Sequence, residues 1–213
     1  MTSKKAYNFF TALRIERKEV IHSSMLVAIA SYNDDCKNLF FDMLANKGDA
    51  QKINELRSAI DKERTKGDFN WIDTEHNLTG RVGTEKRDWG RADIWLGNRE
   101  EPSYRVIIEN KIYARDRYRQ LRKYFRYLTG NGRVNAGLYY LCLNDSEDRK
   151  DSAEKSAEFF NTESSSEKTD FHIITYKNDI TNWLKHILAL KNLEPNFIKS
   201  VEQYLEIVLK ISK

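Results

Sequence analysis

At 213 residues the chain is long enough for one domain with a sizeable core and short for two. Hydrophobic content of 40% with 12% aromatic residues is globular, while 32% charged residues and a net charge of +4 give a heavily solvated, mildly basic surface that admits nucleic acid without requiring it. Cys36 and Cys142 stand far apart with no Cys/His cluster, which excludes a zinc or disulfide framework and makes a reducing, cytoplasmic location the expectation; the longest apolar run, Met25 to Ala30, is too short to span a bilayer, and no signal peptide opens the sequence.

From Tyr7 to Ala30 the apolar residues Phe10, Leu13, Val20, Met25, Leu26 and Ile29 fall at mostly helical spacings, so one or two helices are expected, carrying Glu16, Glu19 and His22. Cys36 to Leu44 and Ala50 to Arg64 read as two more, separated by the break Asn46-Lys47-Gly48-Asp49. A first strand is expected over Phe69 to Glu75. Thr79 to Trp89 is rich in Gly and charge with no period and reads as a loop or irregular hairpin, with Arg81, Lys86 and Arg87 either meeting phosphates or simply solvated.

Alternation in Ala92-Asp93-Ile94-Trp95-Leu96 and the run Val106-Ile107-Ile108 predict two strands joined by a turn over Gly97 to Ser103. Glu109 and Lys111 end the second strand, two apart and therefore on one face. A hairpin of this length brings Asp93 beside Glu109, so two carboxylates and one ammonium converge at a sheet edge. Two adjacent carboxylates repel, and a hard cation such as Mg²⁺ removes that penalty by taking oxygen from both. On its own an E-x-K tripeptide is more simply an exposed ion pair.

The next helix, about Ala114 to Leu128, has its charges sorted by face. Arg115, Arg119, Arg122 and Arg126 form one stripe suited to phosphate oxygens, Tyr118, Leu121, Phe125 and Leu128 form the apolar face, and Gln120 and Tyr124 flank it. Ala136 to Leu143 reads as a central strand buried on both faces. Asn144 to Asp170 is Ser-, Glu- and Lys-rich and reads as a surface excursion with a short helix near Ala153 to Phe160; Phe171 to Tyr176 resumes as an edge strand. Asp179 to Leu190 and Pro195 to Ile211 finish as amphipathic helices that either cover the sheet or pair with a second copy in a homodimer.

Four motifs in order, Glu19-Val20-Ile21-His22-Ser23, Gly90-Arg91-Ala92-Asp93, Ile108-Glu109-Asn110-Lys111 and Gln120-Leu121-Arg122-Lys123-Tyr124, make the chain resemble the PD-(D/E)xK nuclease superfamily, in the branch reading E-x-x-H-S, G-R-x-D, I-E-N-K and Q-L-x-x-Y. Ala92 replaces the proline of the superfamily's name, a backbone-shaping residue and not a ligand. The resemblance implies an α/β, restriction-endonuclease-like mixed sheet flanked by helices on both faces. The motifs lie within roughly the first 125 residues, and one domain is expected for the chain, with a helical part over residues 1–66, a core over 67–143, the excursion over 144–170 and a closing strand and helices over 171–213. The resemblance further implies a Mg²⁺- or Mn²⁺-dependent nuclease acting on DNA, of restriction, repair or phage-defence type. Asp93, Glu109, Glu19 and the Asn110 carbonyl would hold the metal, Lys111 would position and activate water, and Gln120 would support the site. Tyr124, His22 and the four arginines would meet nucleic acid, and Glu75 is a weaker candidate near the metal. The competing reading is a non-catalytic or partner-dependent nucleic-acid-binding module on the same scaffold.

Overall fold

The computed structural model describes residues 8–12, 18–67, 69–82, 85–112, 120–129, 133–144 and 171–213. Along them run α1 (Phe9–Ala12), α2 (Glu19–Ala30), α3 (Asp34–Ala45), α4 (Ala50–Arg64), β1 (Ile72–Val82), β2 (Glu85–Gly97), β3 (Ser103–Lys111), α5 (Gln120–Leu128), β4 (Arg133–Cys142) and β5 (Phe171–Thr175). A π-helical turn (Tyr176–Ile180) then leads into α6 (Thr181–Leu188) and α7 (Pro195–Ile211). The helix starts follow local chemistry. Asn33 caps α3 by accepting from the Cys36 N–H at 2.8 Å, Asp49 caps α4 by accepting from the Lys52 N–H at 3.1 Å, and Pro195 opens α7, where its missing N–H costs nothing.

The five strands form one sheet in the order β1-β2-β3-β4-β5, antiparallel from β1 to β3 and parallel from β3 to β5. This is the mixed α/β sheet expected, with β5 at an edge and β4 inside. Alternate residues feed two cores. Ile94, Leu96, Val106, Ile108, Tyr139 and Leu141 join a large cluster with α2, α3, α4, α6 and α7. Trp95, Ile107, Leu138 and Tyr140 join a smaller one with Leu121, Tyr124, Tyr127 and Leu128 of α5. Near-continuous apolar strands are what a sheet covered on both faces requires.

The structure decides three points of the sequence reading. Of the loop or irregular hairpin expected over Thr79 to Trp89, it is the hairpin that forms: β1 and β2 stay paired to Val82 and Glu85, with a register shift after Asn77, because a hairpin's backbone ladder needs no apolar period to hold it. The first C-terminal helix was expected from Asp179; helical turns begin earlier, in the π-helical turn at Tyr176, which Thr175 caps by accepting from the Asn178 N–H at 3.2 Å while its own N–H donates to the Asp179 carboxylate at 2.7 Å. The apolar face of α7 (Val201, Tyr204, Ile207, Val208) is buried in the chain's own core, so of the two expectations, covering the sheet or pairing in a homodimer, the helix meets the first and the homodimer gains no support. The expected excursion beyond Asn144, its short helix and the first part of the arginine helix lie outside the described residues. Among the described residues no helix is long and apolar enough to cross a membrane.

Candidate active site

The antiparallel register of β2 and β3 pairs Ile94 with Ile108 and Trp95 with Ile107. One step further, Asp93 lies across from Glu109, and the two strands are tied there by the Asn110 N–H donating to Asp93 Oδ2 at 2.8 Å. Period-2 alternation then divides the end of β3. Glu109 and Lys111 share the face of Ile107 and Trp95, under α5; Asn110 faces the other way, toward α2.

On the α5 face Glu109 is only 1% exposed and Lys111 only 6%. Lys111 Nζ donates to Glu109 Oε1 in a buried ion pair. Glu109 Oε2 is buried with no hydrogen bond. Burial, then the neighbouring Asp93 charge, pushes the Glu109 carboxyl up to about 7 against the pull of Lys111. Burial also raises Asp93, opposed by the Asn110 N–H and Lys111 and reinforced by the charges of Glu75 and Glu19. Burial works against the Lys111 ammonium, yet Glu109, Asp93 and Glu19 together outweigh it and raise its pKa, so Lys111 keeps its proton.

Helix α5 supports this group from above. Gln120 Nε2 donates to the Tyr124 hydroxyl at 2.7 Å, and that hydroxyl donates to the Arg91 carbonyl at 2.6 Å. Tyr124 is fully enclosed. Expected to support the site or meet nucleic acid, it is tied through its hydroxyl to the backbone of the strand that carries Asp93. Helix α2 approaches from the opposite side, and Glu19 Oε1 accepts from the Ile112 N–H at 2.8 Å, bringing a third carboxylate to the end of β3. Glu75 arrives from β1 with the left-handed φ of +54°, rare for a residue with a side chain, and its Oε2 pairs with Arg91 Nη2 at 2.6 Å.

His22 is also corrected. It is buried, with Nδ1 3.1 Å from the Tyr204 hydroxyl and its ring edge-on to Tyr176, so no phosphate reaches it. Of the arginine stripe, Arg122 is half-buried and Arg126 exposed on α5, while Arg115 and Arg119 lie outside the described residues.

The sequence reading missed the clamp behind the site. Asn110 Nδ2 donates to Ser23 Oγ at 3.0 Å and to the Glu19 carbonyl at 3.2 Å, and its Oδ1 accepts from the Tyr176 hydroxyl at 3.1 Å. One buried amide thereby locks α2, β3 and the π-helical turn together. The E-x-x-H-S motif is thus a docking motif as much as a ligand motif: Glu19 reaches the end of β3, Ser23 meets Asn110, and His22 packs on Tyr204. The signal available was a neutral Asn between two charged residues at the end of an apolar strand, on the face opposite theirs, where a buried amide needs partners.

Among the described residues no three acidic, His or Cys side chains converge closely enough, as they stand, to hold a metal ion between them. The donor chemistry nevertheless suits a hard divalent cation. Two carboxylates share a buried edge, one oxygen has no hydrogen bond, and the Asp93 charge makes ionisation of Glu109 more costly.

In comparison with known proteins, a family model described as the PD-(D/E)XK nuclease superfamily matches residues 7–206. No match was found among curated proteins or solved structures. The match takes in all four motifs and every strand of the mixed sheet, and the chain belongs to the PD-(D/E)XK nuclease superfamily.

Proposed function

We propose that the chain hydrolyses phosphodiester bonds in DNA, using a divalent metal ion held by Asp93 and Glu109 with Glu19 and the Asn110 carbonyl as further oxygen donors. The observation that carries this reading is the buried Glu109 oxygen with no hydrogen bond, set beside Asp93 and Lys111 on one face of β2 and β3. The ion, Mg²⁺ or Mn²⁺, would supply Lewis acidity at the phosphate and lower the pKa of an attacking water.

The chain's own groups account for the rest. Lys111 retains its proton beside Glu109 and Asp93, so it serves as a cationic donor that orients water or a phosphate oxygen and balances charge on the pentacovalent phosphate. Of the expected roles, positioning and activating water, the first suits it better, because an ammonium with a raised pKa is a poor base. Tyr124 and Gln120 fix the strand carrying Asp93 through the Arg91 carbonyl. The Asn110 clamp fixes the strand carrying Glu109 and Lys111. Positioning of this kind is what holds reacting atoms near attack geometry. Arg122 and Arg126 of α5 extend the cationic surface along a phosphate backbone.

The test is incubation of supercoiled plasmid, linear duplex and single-stranded DNA with the protein in Mg²⁺, Mn²⁺ or EDTA. Cleavage with either metal and none in EDTA is the expected result. Cleavage that persists in EDTA would remove the metal from the reaction, and no cleavage of any substrate would favour the binding-module reading.

A further inference from the structure

Arg91 stands two residues before Asp93 on β2, about 7 Å along the strand, and the reaction as derived gives its side chain no part. Its backbone is held in place, because the Arg91 carbonyl accepts from the buried Tyr124 hydroxyl at 2.6 Å. Its guanidinium reaches solvent instead. The side chain is 61% exposed, and its partner among the described residues is one carboxylate, that of Glu75, at Nη2. A guanidinium carries five N–H donors in a planar fork, so contact at one nitrogen leaves most of the fork facing water.

Glu75 meets that arginine from an unusual backbone position. The register Thr74↔Ile94 and His76↔Ala92 sets Glu75 opposite Asp93 on the neighbouring strand. Its φ of +54° is left-handed, which costs stability in a residue with a side chain, and an ion pair open to solvent gains too little to offset it. Alternation along β2 breaks at the same place, since Ala92 and Trp95, three apart, both pack in the core under α5. Glu75 is thereby set between two groups. Its charge opposes ionisation of Asp93 on one side, and its Oε2 lies 2.6 Å from Arg91 Nη2 on the other.

The charges around Asp93 say what this arrangement is for. Glu109, Glu19 and Glu75 all act on Asp93 or Lys111, so four carboxylates face the one ammonium of Lys111. An approaching phosphodiester meets repulsion that a divalent ion between Asp93 and Glu109 relieves at the scissile phosphate alone. Arg91 lies beyond Glu75, where the strand would carry its next phosphate, and a guanidinium fork matches two phosphate oxygens.

We propose that Arg91 binds the phosphate next to the scissile one, and that Glu75 is its latch, a carboxylate that aims the guanidinium and is exchanged for a phosphate oxygen when a nucleic-acid strand enters. Arg91 in this role rests on the phosphodiester reading of the site. Glu75 then guards the substrate contact and is not a metal ligand.

The test reads binding apart from turnover. Fluorescence anisotropy with a labelled two-turn DNA duplex and with one of its single strands, in Ca²⁺, which takes the same oxygen ligands as Mg²⁺, compares wild type with Arg91→Ala, Arg91→Lys and Glu75→Gln. On the probe that wild type binds better, Arg91→Ala should bind about ten-fold more weakly, with a log–log salt slope flatter by about 1, because one phosphate contact is worth about one unit. Arg91→Lys keeps the charge and should keep the slope, with a loss of about three-fold for the missing fork. Glu75→Gln should bind about three-fold more tightly, a gain that no misfolded hairpin produces, while its Mn²⁺ affinity by calorimetry stays within about two-fold of wild type. Unchanged affinity or an unchanged slope in Arg91→Ala overturns the proposal. So does a Glu75→Gln protein that binds no more tightly than wild type, or one with weakened Mn²⁺ affinity, which would make Glu75 a ligand. A wild-type protein that binds neither probe overturns it as well. Plasmid cleavage in Mn²⁺ separates this from the active-site reading. If Lys111→Ala still cuts, that reading fails while the Arg91 contact stands on the binding data; if cutting needs Lys111 and Arg91→Ala binds as wild type does, the Arg91 contact alone fails.

Discussion

Glu109 and Asn110 are neighbours in sequence and face opposite sides of one sheet, and their surroundings differ in kind. Asn110 has both side-chain atoms hydrogen-bonded, to Ser23, Glu19 and Tyr176, and closes the large core where the helices meet. Glu109 keeps one buried oxygen without a hydrogen bond and a second against Lys111. A satisfied buried polar group stabilises and specifies a fold, and an unsatisfied one costs stability that folding alone does not recover. One face therefore holds the domain together and the other carries the chemistry, and substitutions on the two should separate stability from activity.

The largest expected effect is on the reacting face. Asp93→Asn should lower metal-dependent cleavage by about a thousand-fold or more, near 4 kcal/mol in transition-state terms, and weaken Mn²⁺ binding followed by calorimetry. Unchanged metal affinity would remove Asp93 from the ligand set. On the opposite face Asn110→Ala should destabilise the fold by about 3 kcal/mol, because Ser23 and Tyr176 lose their partner in a buried site. In a domain of this size that lowers the thermal midpoint by roughly 6–12 °C, and a midpoint within about a degree of wild type would contradict the clamp.

Glu109 gives a prediction whose sign depends on pH. Its folded pKa of about 7 lies above its ordinary value of 4.5, so its contribution to stability is fully present below 4.5 and is lost as pH rises through 7. Glu109→Gln should consequently be more stable than wild type at pH 8, by about 3 kcal/mol or less in urea unfolding, and the difference should vanish near pH 4.5. Cleavage moves the other way, since metal ligation needs the ionised carboxylate; wild-type activity should rise from pH 6 to pH 8. A Gln variant no more stable at pH 8 than at pH 5 would show that Glu109 carries no such cost. The smallest effect belongs to α5. Arg122→Gln with Arg126→Gln should weaken DNA binding only several-fold and flatten the salt slope by up to about 2, and an unchanged slope would return both arginines to plain solvation.

The reacting face was legible in the sequence because its geometry follows from two rules. Alternation puts Glu109 and Lys111 on one side, and an antiparallel hairpin sets Asp93 opposite Glu109. The start of α7 at Pro195 was legible because proline at a first helical position is a local signal. The clamp was not, because Ser23, Asn110 and Tyr176 are far apart in the chain and a neutral side chain does not advertise its partner. His22 was misassigned for a similar reason: its environment is set by Tyr204, 182 residues away. The pairing of Thr79–Val82 with Glu85–Asp88 was legible only as one of two readings, a loop or an irregular hairpin, because backbone pairing leaves no period in Gly-rich, charged sequence.

The most direct test of the division between the two faces is Lys111→Ala, measured for plasmid cleavage in Mn²⁺ and for urea unfolding on the same preparation. Lys111 pairs with Glu109 at the edge of the chemistry and takes no part in the Asn110 clamp, so cleavage should fall by about a thousand-fold while the fold survives with cooperative unfolding. Cleavage within a few-fold of wild type would contradict the account, because the ammonium beside Glu109 would then be a structural counter-charge and the chemistry would lie elsewhere.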